Sequence, residues 1–234
     1  MSLPSFVPSV LLIGASRGIG LAMAEQFLAK GWHVTGTVRS EQTPLHALAD
    51  AWPGQLQIER LDMCDDLQLA ALDARLNGSQ FDMLFVNAGT TNRDPSQTIG
   101  EITTEEFIQV MTTNALAPMR VLEKLEKHTH SRALLGVMSS GQGSITNNIN
   151  GQRELYRGSK AALNMFMRSF AARQAGTERA LVSMAPGWIR TALGGPQAPL
   201  TLEETIPSLV NVLLEKQARP GLEYLDFKGN TVPW

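Results

Sequence analysis

A short apolar run that ends in a glycine-rich turn constrains the fold of this chain more than any other stretch. Residues 10–13 are aliphatic, residues 14–20 read GASRGIG, and apolar residues at helical spacing follow at once. A strand, a glycine turn and a helix in this order form the context of a nucleotide-phosphate site. Glycine lets the backbone approach a phosphate, and the free N–H groups at a helix start favour an anion. The spacing also fits a plain strand-to-helix turn, so the turn alone does not decide between these readings.

Short apolar runs alternate with helical patterns along the whole chain. We predict strands at 10–13, 33–38, 56–61, 81–86, 133–138, 180–184 and 222–225. We predict helices at 19–30, 45–52, 67–76, 103–125, 156–173 and 201–216. Two of these helices begin with a capping-box pattern, Thr103 with Glu106 and Thr201 with Glu204. This alternation predicts the α/β class: a Rossmann-type doubly wound parallel sheet of about seven strands, with helices on both faces, in a single domain.

Composition excludes several classes of function. The chain has 234 residues, a formal net charge of −2 and a pI near 6.1, which favours neither a nucleic-acid nor a membrane-surface partner. Its one cysteine, Cys64, cannot form an internal disulfide, so we expect a reducing, cytoplasmic compartment. Residues 1–8 carry no basic side chain and lead into the first strand, so we expect no signal peptide.

The histidines do not predict a metal site. All four are scattered, and only His128 and His130 are close in sequence, without a third donor at ligand spacing. We expect that pair to lie at a solvated helix end and expect no bound metal.

Polar and glycine residues recur where predicted strands end. In a doubly wound sheet, ligands bind outside the carboxyl ends of the strands, so these residues should converge on one site. They are the turn at 14–20, Arg39, Asp62, Met63, the triplet Asn87-Ala88-Gly89, Ser139, Ser140, Pro186 and Gly187. Their convergence favours the nucleotide reading over a plain turn.

Tyr156 and Lys160 lie four residues apart at the start of a predicted helix, and therefore on one face. A neighbouring cation favours the phenolate form of a tyrosine. Lowering the pKa of a phenol from ~10 to ~7 requires about 4 kcal/mol of differential interaction. With that help Tyr156 could act as a general acid or base near neutral pH. An ordinary exposed helix pair has the same spacing.

Taken together, the motifs resemble the short-chain dehydrogenase/reductase family over nearly the whole chain. The matching positions are Gly14, Gly18, Gly20, Asn87-Ala88-Gly89, Asn114, the Ser139-Ser140 pair, Tyr156, Lys160 and Pro186-Gly187. Within the family, the chain is most similar to the branch that includes the C-factor and Sniffer-type carbonyl reductases. Three stretches carry this similarity: 156–164, 186–191 and the Pro233-Trp234 end. Ile13 and Val86 depart from the family pattern, which puts some hydrogen bonds of the turn in doubt.

The resemblance implies roles for four side chains. Tyr156 would donate a proton to a substrate carbonyl oxygen, and Ser140, rather than Ser139, would hydrogen-bond that oxygen. Lys160 would lower the pKa of Tyr156 and hold the nicotinamide ribose. Asn114 would bend its helix and hold a water that links Lys160 to solvent, although its amide could equally satisfy a helix kink.

The resemblance also implies a set of dinucleotide contacts. They are Gly14, Ser16, Arg17, Gly18, Ile19, Gly20, Arg39, Asp62, Met63, Asn87, Ala88, Gly89, Lys160, Pro186, Gly187, Ile189 and Thr191, with Asp62 and Met63 flanking the adenine. An acid at the end of strand two would select NAD, but that position holds Arg39, and Arg17 lies in the turn. Guanidinium groups suit a phosphate, so we predict NADP(H). The nearby Glu41 is the argument for NAD.

The substrate is specified only as a carbonyl on a fairly apolar small molecule. We expect a mobile lid at about 190–205, which is rich in Gly and Pro, and a pocket wall that includes Trp188, Leu193 and Ile149, any of which could instead be core. The two long helices resemble the family's subunit interface, which implies a homodimer or homotetramer. The alternatives are a non-catalytic NADP-binding signalling or regulatory protein on the same fold and, less favoured, an epimerase or dehydratase.

Overall fold

The computed structural model describes residues 7–234. Most of residues 1–8, on which the expectation of no signal peptide depends, lie outside the described residues. Within 7–234 the chain forms a parallel sheet of seven strands in the order β3-β2-β1-β4-β5-β6-β7. The strands are β1 Ser9–Ile13, β2 His33–Val38, β3 Leu56–Arg60, β4 Phe81–Val86, β5 Thr129–Met138, β6 Ala180–Ala185 and β7 Gly221–Asp226. The predicted fold class is confirmed.

Helices connect the strands and cover both faces of the sheet. They are α1 Gly18–Ala29, α2 Pro44–Ala51, α3 Asp66–Arg75, α4 Thr104–Met111, α5 Ala117–Leu125, α6 Glu154–Arg173 and α7 Leu202–Gln217. Side chains of β1 alternate between two apolar layers, with Val10 and Leu12 in one and Leu11 and Ile13 in the other. The first layer packs on α1, α2 and α7, and the second on α3, α5 and α6. Burial on both faces explains the continuous apolar runs of the sequence.

Three predicted elements differ from the structure by more than one residue at either end. Strand five begins at Thr129, four residues earlier than predicted, and the helix that carries Tyr156 begins at Glu154. The predicted helix at 103–125 is interrupted, because Thr112–Leu116 is a π-helical segment between α4 and α5.

The two predicted capping boxes have different outcomes. The box at Thr201 and Glu204 is formed in full. At α4, the Thr103 hydroxyl accepts the N–H of Glu106 at 3.2 Å, but the Glu106 carboxylate accepts the N–H of Arg93 at 2.7 Å instead of completing the box. The carboxylate thus ties the loop after β4 to the start of α4.

The predicted solvated position of the histidine pair is wrong for His128. This side chain is buried, and its Nε2 lies 2.7 Å from Oδ1 of Asp73 on α3. Among residues 7–234 no group of three His, Cys, Asp or Glu side chains is arranged to hold a metal ion. Over the same residues, the helices are all too short or too polar to cross a membrane.

Candidate active site

A cavity of about 690 Å³ lies at the carboxyl ends of the strands, within the size range of small-molecule and cofactor sites. Most of the predicted site residues line it, as follows: Gly14, Ser16, Arg17, Gly18, Ile19, Arg39, Met63, Asn87, Ala88, Gly89, Ser140, Tyr156, Lys160, Pro186, Gly187, Ile189 and Thr191. Gly20, Asp62 and Asn114 lie outside this lining. The convergence expected at the sheet edge is therefore present for all but these three residues.

The outer glycines of the turn are required by close packing. Gly14 has φ +87°, and a Cβ on it would lie 2.7 Å from the Cβ of Ala88. A Cβ on Gly20 would lie 2.0 Å from the carbonyl oxygen of Gly14. The structure gives a reason for glycine at position 20 beyond the expected access of a phosphate, because its missing side chain makes room for the turn itself.

The middle of the turn fits a dinucleotide phosphate. Gly18 lines the cavity with φ +55°, and a Cβ there would meet only Thr191, at 3.7 Å. No side chain caps the start of α1 at Arg17, so the first N–H groups of that helix stay available to an anion.

Neighbouring strands hold the turn in place. The Thr37 hydroxyl on β2 accepts the N–H of Gly14 at 2.9 Å, and the Thr37 carbonyl accepts the N–H of Ala15 at 2.9 Å. The Asn87 amide donates to the Gly14 carbonyl at 2.8 Å. These bonds supply the support that the departure at Ile13 had put in doubt.

Tyr156 lies on α6 with 8% of its surface exposed. Burial raises the pKa of its phenol, while the Ser140 hydroxyl and the Arg153 guanidinium lower it to a smaller extent. The expected lowering of this pKa by Lys160 is not found, because the Lys160 ammonium lies 5.9 Å from the ring centre and donates to the Met138 carbonyl at 2.8 Å. The phenol is thus held protonated at neutral pH.

Lys160 is buried beneath the cavity, and burial lowers the pKa of its ammonium to about 8. Gly89 leaves open the space between this ammonium and the Asn114 amide, since a Cβ at 89 would lie 3.3 Å from each. Lys160 is therefore bonded to the end of β5 and faces the segment that follows β4.

The two serines after β5 have different surroundings. Ser139 is buried, and its hydroxyl donates to Oδ1 of Asn164 at 2.8 Å. Ser140 is partly buried, its hydroxyl accepts the N–H of Gln142 at 3.2 Å, and the Tyr224 hydroxyl donates to its carbonyl. Ser139 is committed to the core, whereas Ser140 is the serine placed against Tyr156.

Asn114 is fully buried in the π-helical segment. Its Oδ1 accepts the N–H of Thr90 at 2.8 Å, and its Nδ2 donates to the Thr90 carbonyl at 2.8 Å and to the Ser159 hydroxyl at 3.0 Å. The amide therefore joins the loop after β4 to α6. This arrangement agrees with the expected helix distortion and places Asn114 behind Lys160.

The two arginines expected to select the dinucleotide face the cavity and are exposed. Arg39 follows β2, and its only ion pair among residues 7–234 is with Asp62 at 4.0 Å, an exposed contact of small energy. Arg17 lies in the glycine turn. Glu41, the alternative for NAD, lies outside the cavity lining and pairs with Arg60 at 3.2 Å.

The expected pocket wall is partly correct. Trp188 and Leu193 line the cavity, and the Trp188 indole donates to the Gly194 carbonyl at 2.7 Å. Ile149 is 87% exposed and lies outside the lining, so its predicted place in the wall is wrong.

Sequence reasoning did not single out Arg153, which lies in the polar, glycine- and asparagine-rich stretch 141–154. Arg153 precedes α6 and lines the cavity, and its guanidinium carbon lies 4.9 Å from the centre of the Tyr156 ring. An arginine three residues before a tyrosine at a helix start was the available signal.

Comparison with known proteins places these features in a family. The family model described as short chain dehydrogenase matches residues 8–199. A Burkholderia multivorans protein assigned to the short-chain dehydrogenase/reductases and crystallised with bound NADP is 61% identical, with a TM-score of 0.97, over 98% of this chain and 100% of that one.

Two further proteins bear on the branch. C-signal of Myxococcus xanthus is 31% identical over 155 residues, which cover 65% of this chain and 92% of that protein. A carbonyl reductase from Pseudomonas aeruginosa PAO1 in complex with NADP is 32% identical, with a TM-score of 0.90, over 98% of this chain and 100% of that one. The resemblance to the C-factor and carbonyl reductase branch is confirmed.

Proposed function

The chain belongs to the short-chain dehydrogenase/reductase family of oxidoreductases, and on that premise we propose that it reduces the carbonyl group of a small molecule with NADPH. The observation that carries this proposal is the placement of Tyr156 and Ser140 in the same cavity as the glycine turn. One end of that cavity suits a dinucleotide phosphate, and the other offers a phenol and a hydroxyl to one oxygen atom.

The chain's own residues would hold the carbonyl and complete the proton transfer. When bound, the reduced dinucleotide supplies a hydride to the carbonyl carbon. The Ser140 hydroxyl holds the carbonyl oxygen, and Tyr156 donates the proton that completes the alcohol. A phenol whose pKa is raised by burial keeps its proton at neutral pH, which is the state that a donor needs.

Lys160 and Asn114 would support Tyr156 from behind. The ammonium of Lys160, which lies 5.9 Å from the centre of the Tyr156 ring, would hold the nicotinamide ribose. Asn114 keeps the loop after β4 and α6 at a fixed distance, and the gap at Gly89 gives room for a water next to Lys160. Such a water would return the proton from solvent.

Arg17 and Arg39 support the preference for NADP(H). Both side chains are exposed at the wall of the cavity, and Arg39 has only a weak contact to Asp62 to give up. A 2′-phosphate would offer these guanidinium groups a stronger, charge-assisted partner. Gly14, Ser16, Gly18, Ile19, Asn87, Ala88, Pro186, Gly187, Ile189 and Thr191 complete the proposed contacts, and residues 190–205 the proposed lid.

Exposed apolar side chains support the proposed homodimer or homotetramer. Phe107, Ile108 and Leu116 lie on the α4–α5 stretch, and Met165 and Phe166 lie on α6. Covering such side chains on the two long helices would stabilise an assembly of like subunits.

The proposed function is tested with a panel of aldehydes, diketones and quinones under NADPH, beside Tyr156→Phe. We expect turnover by the unmodified enzyme and a loss of about 100-fold or more in kcat for the variant, as for removal of a general acid. Dissociation constants for NADPH and NADH, measured on both proteins by fluorescence, serve as the control for an intact site. Equal inactivity with intact NADPH binding would instead favour the non-catalytic binding protein, and tighter NADH binding would overturn the NADP preference.

A further inference from the structure

Arg153 carries a positive charge into the substrate end of the cavity without a neutralising partner. Its guanidinium lies over the Tyr156 ring at 4.9 Å, and within residues 7–234 it forms no ion pair. Glu154, the adjacent acid, accepts the N–H of Ile99 at 2.7 Å. The charged groups next to Arg153 thus leave its guanidinium open to an anion.

The backbone adopts an unfavourable conformation to place this side chain. Gly151, Gln152 and Arg153 have φ values of +64°, +61° and +51° in succession, and Gln152 and Arg153 are the non-glycine residues of positive φ among residues 7–234. The left-handed conformation is unfavourable for an L-residue because its Cβ crowds the following carbonyl oxygen. Arg157 stabilises the turn by donating its Nε to the Gln152 carbonyl at 2.8 Å. Strain of this kind collects at functional sites.

The same region holds polar atoms that lack partners. Three enclosed side-chain polar atoms within residues 7–234 make no hydrogen bond, and two of them belong to residues of the cavity wall. They are Nε of Arg153 and Oε1 of Gln142. An enclosed donor without a partner is costly, so native proteins keep few of them, and a bound group often accounts for one that remains.

From these observations we propose that Arg153 binds an anionic group of the substrate, so that the preferred substrates are oxo acids, with a carboxylate beside or near the carbonyl. A guanidinium recognises a carboxylate through charge and paired N–H donors. Since Tyr156 and Arg153 are in contact, the carboxylate and the reacting carbonyl would belong to one small molecule. This inference rests on the proposed carbonyl reduction and specifies its substrate class.

The test compares acids with their neutral esters. Benzoylformate and 4-oxopentanoate are each assayed against their methyl esters with NADPH, and the acid-to-ester ratio of kcat/KM cancels any effect of a variant on Tyr156 itself. We expect Arg153→Gln to lower that ratio at least 10-fold and Arg153→Lys to restore part of it. Arg132→Gln is the matched control, because Arg132 is an exposed arginine on β5 paired with Glu178, outside the cavity lining.

A binding measurement separates this inference from the proposed function. Calorimetry of benzoylformate and its ester on the protein, with and without NADP, is run on the unmodified chain, on Arg153→Gln and on Arg132→Gln. Acid binding that Arg153→Gln alone abolishes supports the anion site even if no carbonyl is reduced. Reduction of esters and diketones with an acid-to-ester ratio unchanged in Arg153→Gln overturns the inference and leaves the reductase function standing. Failure of every protein to bind the acid overturns it as well.

Discussion

The two ends of the cavity are built in opposite ways. At the dinucleotide end, the turn is held by main-chain and Thr37 hydrogen bonds, and its glycines are conformationally suited to their places. At the substrate end, non-glycine residues adopt left-handed conformations and enclosed polar atoms lack partners. Local packing and hydrogen bonds therefore determine the structure of the dinucleotide end. The substrate end has polar atoms without hydrogen-bond partners, which a ligand could supply.

The largest effect on stability is expected from a substitution in the glycine turn at the dinucleotide end. In Gly20→Ala, the added Cβ would lie 2.0 Å from the Gly14 carbonyl, so the turn and α1 must separate. We expect a loss of about 4 kcal/mol or more in the free energy of unfolding, of the size reserved for severe core defects. NADPH binding should be lost with it. Urea denaturation and NADPH titration measure both effects.

Gly158→Ala is the control for that substitution. Gly158 lies within α6, a Cβ there would meet nothing within 4 Å, and helical alanine is favoured over glycine by about 1 kcal/mol. A stable Gly20→Ala protein with normal NADPH affinity would show that packing does not fix this end.

Lys160→Met is expected to raise the free energy of unfolding, by less than Gly20→Ala lowers it. Burial lowers the pKa of Lys160 to about 8 in the folded protein, below its unfolded value of ~10.4, so the unfolded state binds more protons between those pH values. Folding stability from this group therefore rises with pH across that window and is lowest below pH 8. The variant should gain up to about 3 kcal/mol at pH 7, partly offset by the unpaired Met138 carbonyl.

The gain in Lys160→Met should shrink as the pH rises from about 8 and become small above about pH 10.5, where the unfolded lysine also loses its proton. Thermal unfolding across pH 6–10.5 measures this trend, and carbonyl reduction should be lost throughout. A constant stability difference across the series would contradict the assigned burial effect.

The smallest effect on stability is expected from a substitution that removes backbone strain at the substrate end. Glycine accepts the φ of +61° at Gln152 without the steric cost, so Gln152→Gly should raise the free energy of unfolding by up to about 1 kcal/mol. Gln26→Gly, within α1, should instead cost about 1 kcal/mol. Chemical denaturation of both variants gives the comparison. Destabilisation of equal size in both would mean that the turn before α6 stores no strain.

The same contrast explains what the sequence could predict. Strands such as Phe81–Val86 were located because burial on both faces leaves runs that are almost entirely apolar, with Asp82 as the exception here. The bend at Asn114 was expected only from the family resemblance. The spacing of residues 103–125 is that of one continuous helix, and the π-helical segment depends on bonds from the Asn114 side chain to the Thr90 backbone, a partner distant in sequence.

In the site, the dinucleotide end followed from motifs, whereas Arg153 did not. Its position depends on consecutive left-handed residues, which no periodicity in 141–154 indicates. Ile149 was assigned to the wall by its apolar character, but apolar character in a loop does not fix a direction, and the side chain is exposed.

The bonds of Thr37 have a consequence for altering coenzyme choice by design. The glycine turn is anchored by Thr37, two residues before Arg39, through both its hydroxyl and its carbonyl. Arg39 itself contributes nothing to that anchor, so the residue that would discriminate between coenzymes can be exchanged while the scaffold beneath it is kept. Substitutions at position 39 should therefore change coenzyme preference without loosening the glycine turn, provided that Thr37 is kept.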